Sequence, residues 1–252
     1  MARRRDIQNI VALAIGSPNA ADIISVKPES DRFPGNTLSF FFSGDTTESS
    51  HTYITTFTEM YKRLNEPGLD PILPIISPED NSSYIVNSLT LLDKKKVKLV
   101  LSPVETQLFN QLSHHLHHMS IYGSFQYEKV TVAINKIKTL YTINASESKP
   151  TFHMNINQTI IFEEVPTEMR ENYHTKYESI ISEIEQDYSK QSTALFKKIR
   201  DKKIDPYGLG LRYRAKHPIT VEQFEEEWPK LYEEMEFDIK TRIALKSTGL
   251  IK

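Results

Sequence analysis

The chain has no cysteine. Disulfides, thiolate zinc sites, cysteine nucleophiles and a lipid-bearing cysteine are therefore excluded in the chain as written. Glycine is scarce, at 8 residues, and no phosphate-cradling glycine loop or nucleophile elbow can be found, so no cofactor is expected. Long hydrophobic runs are missing as well. The apolar stretch Ile10 to Ile15 falls far short of the roughly 20 residues that cross a bilayer. The basic opening Met1-Ala2-Arg3-Arg4-Arg5 is not followed by a signal-peptide core, because Asp6, Gln8 and Asn9 interrupt it. An excess of charge of one sign is absent too. Lysine plus arginine is 31, aspartate plus glutamate is 33 and the net charge is −2, which argues against a protein that grips nucleic acid through phosphates.

What remains is a chain of 252 residues with 12 Phe and 12 Tyr, long enough for a substantial core in one large or two small domains. Ile10 to Ile15 reads as a buried strand ending at Gly16. Ser17-Pro18 is expected to cap a short helix through Ile24. Thr52 to Leu64 forms an amphipathic pattern with Tyr53, Phe57, Met60, Tyr61 and Leu64 inward. Pro71, Pro74 and Pro78 make the segment 70–76 extended and favour an edge position. Tyr84 to Leu92 and Lys96 to Leu101 flank a turn at Asp93-Lys94-Lys95 and read as a hairpin. Ser102-Pro103-Val104-Glu105 is a capping box that opens a helix to about His118.

From Tyr122 the period changes to two. Phe125 to Lys136, Ile137 to Asn144 and Thr151 to Glu164 read as strands of an antiparallel sheet. Thr167 to Lys202 is helical, and Asp205-Pro206-Tyr207-Gly208-Leu209-Gly210 breaks it. A short helix to about His217 and another from Thr220 to about Tyr232 precede a final strand from Met235 to Leu245, expected to be central or well paired. The fold class is α+β: mixed or antiparallel sheets flanked by helices, with a C-terminal domain of about four strands, one long helix and two shorter ones. The expected division is residues 1–36, a remnant of a first domain and a linker; 37–121, a middle α+β domain; and 122–252, the C-terminal α+β domain.

Few constellations could carry chemistry. His114-His115-Leu116-His117-His118 places His114 and His118 on one helix face, a spacing that can hold zinc or nickel. No third ligand is evident, and the simpler reading is a solvated helix end. Glu225-Glu226-Glu227 and Glu233-Glu234 share one exposed environment beside Trp228, unlike a catalytic pair held at two different pKa values. Lys94-Lys95-Lys96 with Lys98 forms a basic hairpin tip, most simply solvated. Asn81, Asn144 and Asn157 open glycosylation sequons of the kind that recur by chance.

The C-terminal third carries a resemblance. A long charged helix leads to Asp205-Pro206-Tyr207-Gly208-Leu209-Gly210, then Leu211-Arg212-Tyr213-Arg214-Ala215-Lys216-His217-Pro218, then Phe224-Glu225-Glu226-Glu227-Trp228, a strand and Ser247-Thr248-Gly249-Leu250-Ile251. This order resembles the C-terminal domain of the Ger(x)C spore germination proteins, the C subunits of GerA-type nutrient germinant receptors. Asn87 to Leu99, followed by Glu105-Thr106, resembles the family's middle-domain hairpin and helix. Ala20 to Ile24 with Pro28 and Phe33-Pro34 resembles the junction after its first domain.

The resemblance implies a non-catalytic receptor subunit on the outer face of the spore inner membrane, with integral-membrane A and B subunits as partners. It also implies a lipid anchor in the full-length family member. Without signal peptide, anchor cysteine and most of the first domain, the chain reads as a fragment, soluble as written. Two other functions stay open at this point: a metal-dependent enzyme using His114 to His118, and a soluble nutrient-binding module.

Overall fold

A computed structural model describes residues 12–28, 37–38, 42, 50–113, 119–125, 128–145, 149–164 and 173–247. In chain order the elements are β1 (Ile15–Gly16), α1 (Ala20–Ser25), α2 (Phe57–Asn65), β2 (Ile72–Pro78), β3 (Tyr84–Leu92), β4 (Val97–Val100), α3 (Pro103–Leu112), β5 (Met119–Phe125), β6 (Glu128–Asn144), β7 (Thr151–Glu164), α4 (Tyr173–Asp201), α5 (Leu209–Lys216), α6 (Val221–Glu234) and β8 (Glu236–Ser247). They form two compact units. One comprises Met1–Asn110 with Ile199–Glu233, the other Gln111–Lys198 with Glu234–Lys252. The expected α+β class is what the chain adopts.

The first unit is built on a sheet in the order β1-β2-β3-β4. Ile72, Leu89, Leu91, Leu101 and Phe109 are almost fully buried within the unit. Ile23 and Val26 pack with Ile76, Tyr84 and Val86, and the Tyr84 hydroxyl donates to the carbonyl of Ile23 at 3.2 Å. Contrary to the edge expectation, β2 lies between β1 and β3. β1 is parallel to it and pairs only Ile75 and Ile76. Pro74 lies outside that short pairing, where its missing N–H costs no ladder bond on the β1 side.

Local chemistry sets the helix starts. The capping box is present as expected: Ser102 N–H donates to Glu105 Oε2 at 3.0 Å and Glu105 N–H to Ser102 Oγ at 3.3 Å. α1 is capped differently from the expectation. Asn19, not Ser17, accepts the Asp22 N–H at 3.0 Å, and the Ser17–Pro18 peptide is cis. Thr56 caps α2 through the Glu59 N–H at 3.1 Å. The inward face of α2 also departs from the hydrophobic pattern. Tyr61 and Leu64 are exposed, whereas Arg63 is only 7% exposed. α6 buries Phe224, Trp228 and Tyr232 at four-residue spacing and leaves Glu225, Glu226 and Glu227 in solvent, as one apolar stripe requires.

The second unit has a sheet in the order β5-β6-β7-β8. Two expected strands, Phe125 to Lys136 and Ile137 to Asn144, are one 17-residue strand, β6, with an irregularity between Ile134 and Lys136. That extra residue resets the alternation, which is why the sequence reads as two strands. β5 and β6 and β6 and β7 pair antiparallel, but β8 runs parallel to β7. β8 is an edge strand, paired along its length on one side. β7 turns Phe152, Met154, Ile156, Ile160 and Phe162 inward. Val132, Ile134, Ile160 and Phe162 pack with Tyr177 and Ile180 of α4. Phe152, Phe196 and Phe237 form a ring cluster with centroids 5.2 to 5.9 Å apart.

Candidate functional site

The polar residues that sequence periodicity would send to solvent converge inside the first unit. The Asp205 carboxylate accepts the N–H groups of Leu209 at 2.9 Å and Gly210 at 2.7 Å. It supplies the cap for α5 that Gly208, in the left-handed region at φ 69°, has no side chain to give. Asp205 N–H donates to Asp70 Oδ2 at 2.6 Å, and Asp70 N–H donates to the Asp205 carbonyl at 2.9 Å. Burial pushes the Asp205 carboxyl up to about 7, against the opposing pull of its backbone donors. Burial also raises Asp70, with Lys94 and the Asp205 N–H acting against it.

Arg63 completes the junction. Its Nη1 donates at 2.8 Å to the carbonyls of both Asp70 and Pro206. Its Nε pairs with Glu59 at 2.7 Å and its Nη2 reaches the Tyr53 hydroxyl at 3.2 Å. One guanidinium fork therefore binds α2 to two loops far apart in sequence. Lys94 is exposed, as expected at a hairpin tip, but its ammonium is not left to solvent alone. Its Nζ donates to the carbonyls of Arg63, Glu66 and Leu69 and lies 3.7 Å from Asp70 Oδ1. It closes the C-terminal end of α2, where unpaired carbonyls favour a cation. Its pKa is lowered by burial. Lys95 and Lys96 are exposed as well. Glu66 pairs with Arg214 of α5.

Glycine is required at two positions here. A Cβ on Gly68, whose φ is 75°, would stand 2.7 Å from the Gly210 carbonyl carbon, and one on Gly210 would stand 2.6 Å from Trp228 Nε1. Leu211 N–H donates to the Gly68 carbonyl at 3.0 Å across this contact. Trp228 lies between the rings of Tyr213, Phe224 and Tyr232 at 5.4 to 5.9 Å.

Beside the junction is a cleft of about 200 Å³, bordered by Asp70, Arg200, Lys203, Trp228, Tyr232 and Glu233 among others. It is smaller than the pockets that enclose most small ligands. Its rim charges are already paired, Lys203 with Glu233 at 3.0 Å and Arg200 with Asp201 at 2.8 Å. Both Asp205 oxygens face backbone donors, and each proton of the Lys94 ammonium has a carbonyl to meet. The pairing holds loops together. Among the described residues no group of three or more His, Asp or Glu could hold a metal ion. His114 to His118 lie outside the described residues. No described helix is long and apolar enough to cross a membrane.

The architecture so far is that of a two-unit α+β protein whose buried ionic chemistry is spent on joining chain segments. Its relatives give that class a family. Residues 87–249 match the family described as "Spore germination B3/GerAC like, C-terminal", and residues 1–78 match the "Spore germination protein N-terminal domain". The crystal structure of the GerBC protein shares the fold, with a TM-score of 0.73 at 17% identity, over 97% of this chain and 71% of that one. No curated protein matches the chain. The chain belongs to the GerAC-like family of spore germination proteins, the C-subunit family of germinant receptors. The resemblance seen in Asp205 to Gly210 and the residues after it is borne out.

Proposed function

We propose that this chain serves as the C subunit of a spore nutrient germinant receptor and works without catalysis. It contributes to germination signalling by assembling with the receptor's integral-membrane A and B subunits at the outer face of the spore inner membrane. Family membership across residues 1–78 and 87–249 carries this reading. The junction supports it: Asp70, Asp205, Arg63 and Lys94 are engaged by partners that fix the fold. A subunit built this way presents a defined surface and needs no turnover site.

The test is capture of the tagged chain on detergent-solubilised membranes containing the matching A and B subunits. Specific retention of both is the expected result. Absence of retention, with the chain shown folded by circular dichroism, would remove assembly through these residues from the account. Stoichiometric zinc or nickel in untagged protein, lost when His114 and His118 are both changed to alanine, would instead support the metal-enzyme alternative.

A further inference from the structure

The second sheet has one face turned to its core and one turned outward, and the outward face is basic. β6 presents Lys136, Lys138 and Leu140 there, and β8 presents Lys240, Arg242 and Lys246, all exposed. Register brings them together. Lys138 lies opposite Asn157 and Asn157 opposite Arg242; Leu140 lies opposite Asn155 and Asn155 opposite Lys240. At about 4.8 Å between strands and about 6.8 Å between alternate residues, the cations fall in a patch comparable to the Debye length of about 10 Å at 0.1 M salt. Their potentials therefore add.

Acid is sparse among the described residues of this face. Asp238 is held at 3.0 Å from His153 and 3.1 Å from Lys240. Glu236, at the margin, pairs with Lys149 at 3.0 Å. Lys136, Lys138 and Arg242 pair with no acid among the described residues, and Lys246 meets only the amide oxygen of Asn135, at 3.3 Å. In a chain of net charge −2, this is a segregated positive surface.

We propose that this sheet face docks on an anionic lipid surface. Protein interfaces concentrate binding energy in aromatic and arginine anchors and are depleted of lysine. Single-stranded nucleic acid is held by stacked aromatic rings. The described part of this face carries no Phe, Tyr or Trp. Lysines on an exposed polar sheet face suit anionic lipid headgroups, which attract each lysine or arginine by about 1 kcal/mol, or about fivefold in affinity. Leu140, 54% exposed amid the cations, is placed to enter the headgroup layer. The proposal does not depend on assembly with membrane subunits.

The experiment is co-sedimentation of the full chain with phosphatidylcholine vesicles, with and without about a third phosphatidylglycerol. Binding is expected only to the anionic vesicles, with release by high salt. Changing Lys136, Lys138 and Arg242 to glutamine should weaken it about a hundredfold, at about fivefold per cation. Changing Lys190 and Lys197, exposed on α4, to glutamine should leave it near the unaltered value. Circular dichroism checks that each variant is folded. No binding to anionic vesicles, equal binding to neutral ones, or full binding by the triple variant would overturn the proposal. If the triple variant keeps vesicle binding but loses capture by the A and B subunits, the face belongs to a protein partner. Loss of vesicle binding with capture intact would support the lipid surface and leave the receptor assignment standing.

Discussion

Asp70 and Asp205 are bonded to each other twice: the backbone N–H of Asp70 donates to the Asp205 carbonyl, and the Asp205 N–H donates to the Asp70 carboxylate. Two acids are brought together through backbone donors instead of being driven apart by charge. The arrangement lasts because Arg63 and Lys94 tie the same loops.

Replacing Arg63 should be costly. Arg63→Met leaves the carbonyls of Asp70 and Pro206 without their shared donor and Glu59 without its partner. A loss of about 2–4 kcal/mol is expected, given about 1–3 kcal/mol per buried group left unpaired. Arg63→Lys should recover little of it, since one ammonium cannot reproduce the fork. Urea unfolding followed by fluorescence of Trp228, the single tryptophan, measures this in the first unit. Unchanged midpoints in both variants would show that the fork is not needed.

The raised carboxyl of Asp205 has a signed consequence. Its pKa is about 7 in the folded protein, against about 3.9 for an ordinary aspartate. Between those values the folded state binds more protons than the unfolded, so this group makes stability fall as pH rises from about 4 to about 7, with a slope of at most about 1.4 kcal/mol per unit. Below that window the penalty is absent, and above it the penalty is constant. Asp70, raised in the same direction, adds to the trend. Asp205→Asn should therefore gain stability relative to the unaltered chain as pH is raised from 5 to about 7. Parallel pH profiles for the two proteins would refute this assignment.

Gly210→Ala should overpack the contact with Trp228, at a cost of about 1–3 kcal/mol. Gly68→Ala meets a comparable clash, and its positive φ adds about 1–2 kcal/mol. Both should lower the melting temperature, and Gly210→Ala should also shift the tryptophan emission. A Gly210→Ala protein with unaltered stability and emission would mean that α5 and α6 can part without penalty.

In the second unit, Phe196→Ala removes the ring between Phe152 and Phe237 and should cost about 3–5 kcal/mol. Far-ultraviolet circular dichroism during thermal unfolding reports the loss. An effect below about 1 kcal/mol would show that the cavity collapses and that the cluster is not a keystone of this core.

Much of the fold was legible because it rests on local rules. Ser102 and Glu105 form their reciprocal cap, the Asp93 turn closes its hairpin, and Trp228 is buried while Glu225 to Glu227 are not. The junction was less legible. Periodicity assigns arginine and lysine to solvent, and Tyr61 and Leu64 to a core, yet Arg63 is buried and the Lys94 ammonium is engaged by carbonyls supplied from another segment. The nearest signal was the Asp205-Pro206-Tyr207-Gly208-Leu209-Gly210 run, which marks a tight turn but does not name Asp70 as its partner.

The sequence by itself determined where the helix capped by Ser102 starts, where the long helix stops, which strand faces are apolar and which family the C-terminal third resembles. Each of these depends on residues a few positions apart. Only the tertiary structure decided that β8 runs parallel to β7, that β6 is one strand and not two, that Arg63 is buried, and that the lysines of β6 and β8 share one face. Those features follow from the direction in which distant segments return. That direction is fixed by the packing of the whole chain, since the alternation along a single strand is the same whichever way its neighbour runs.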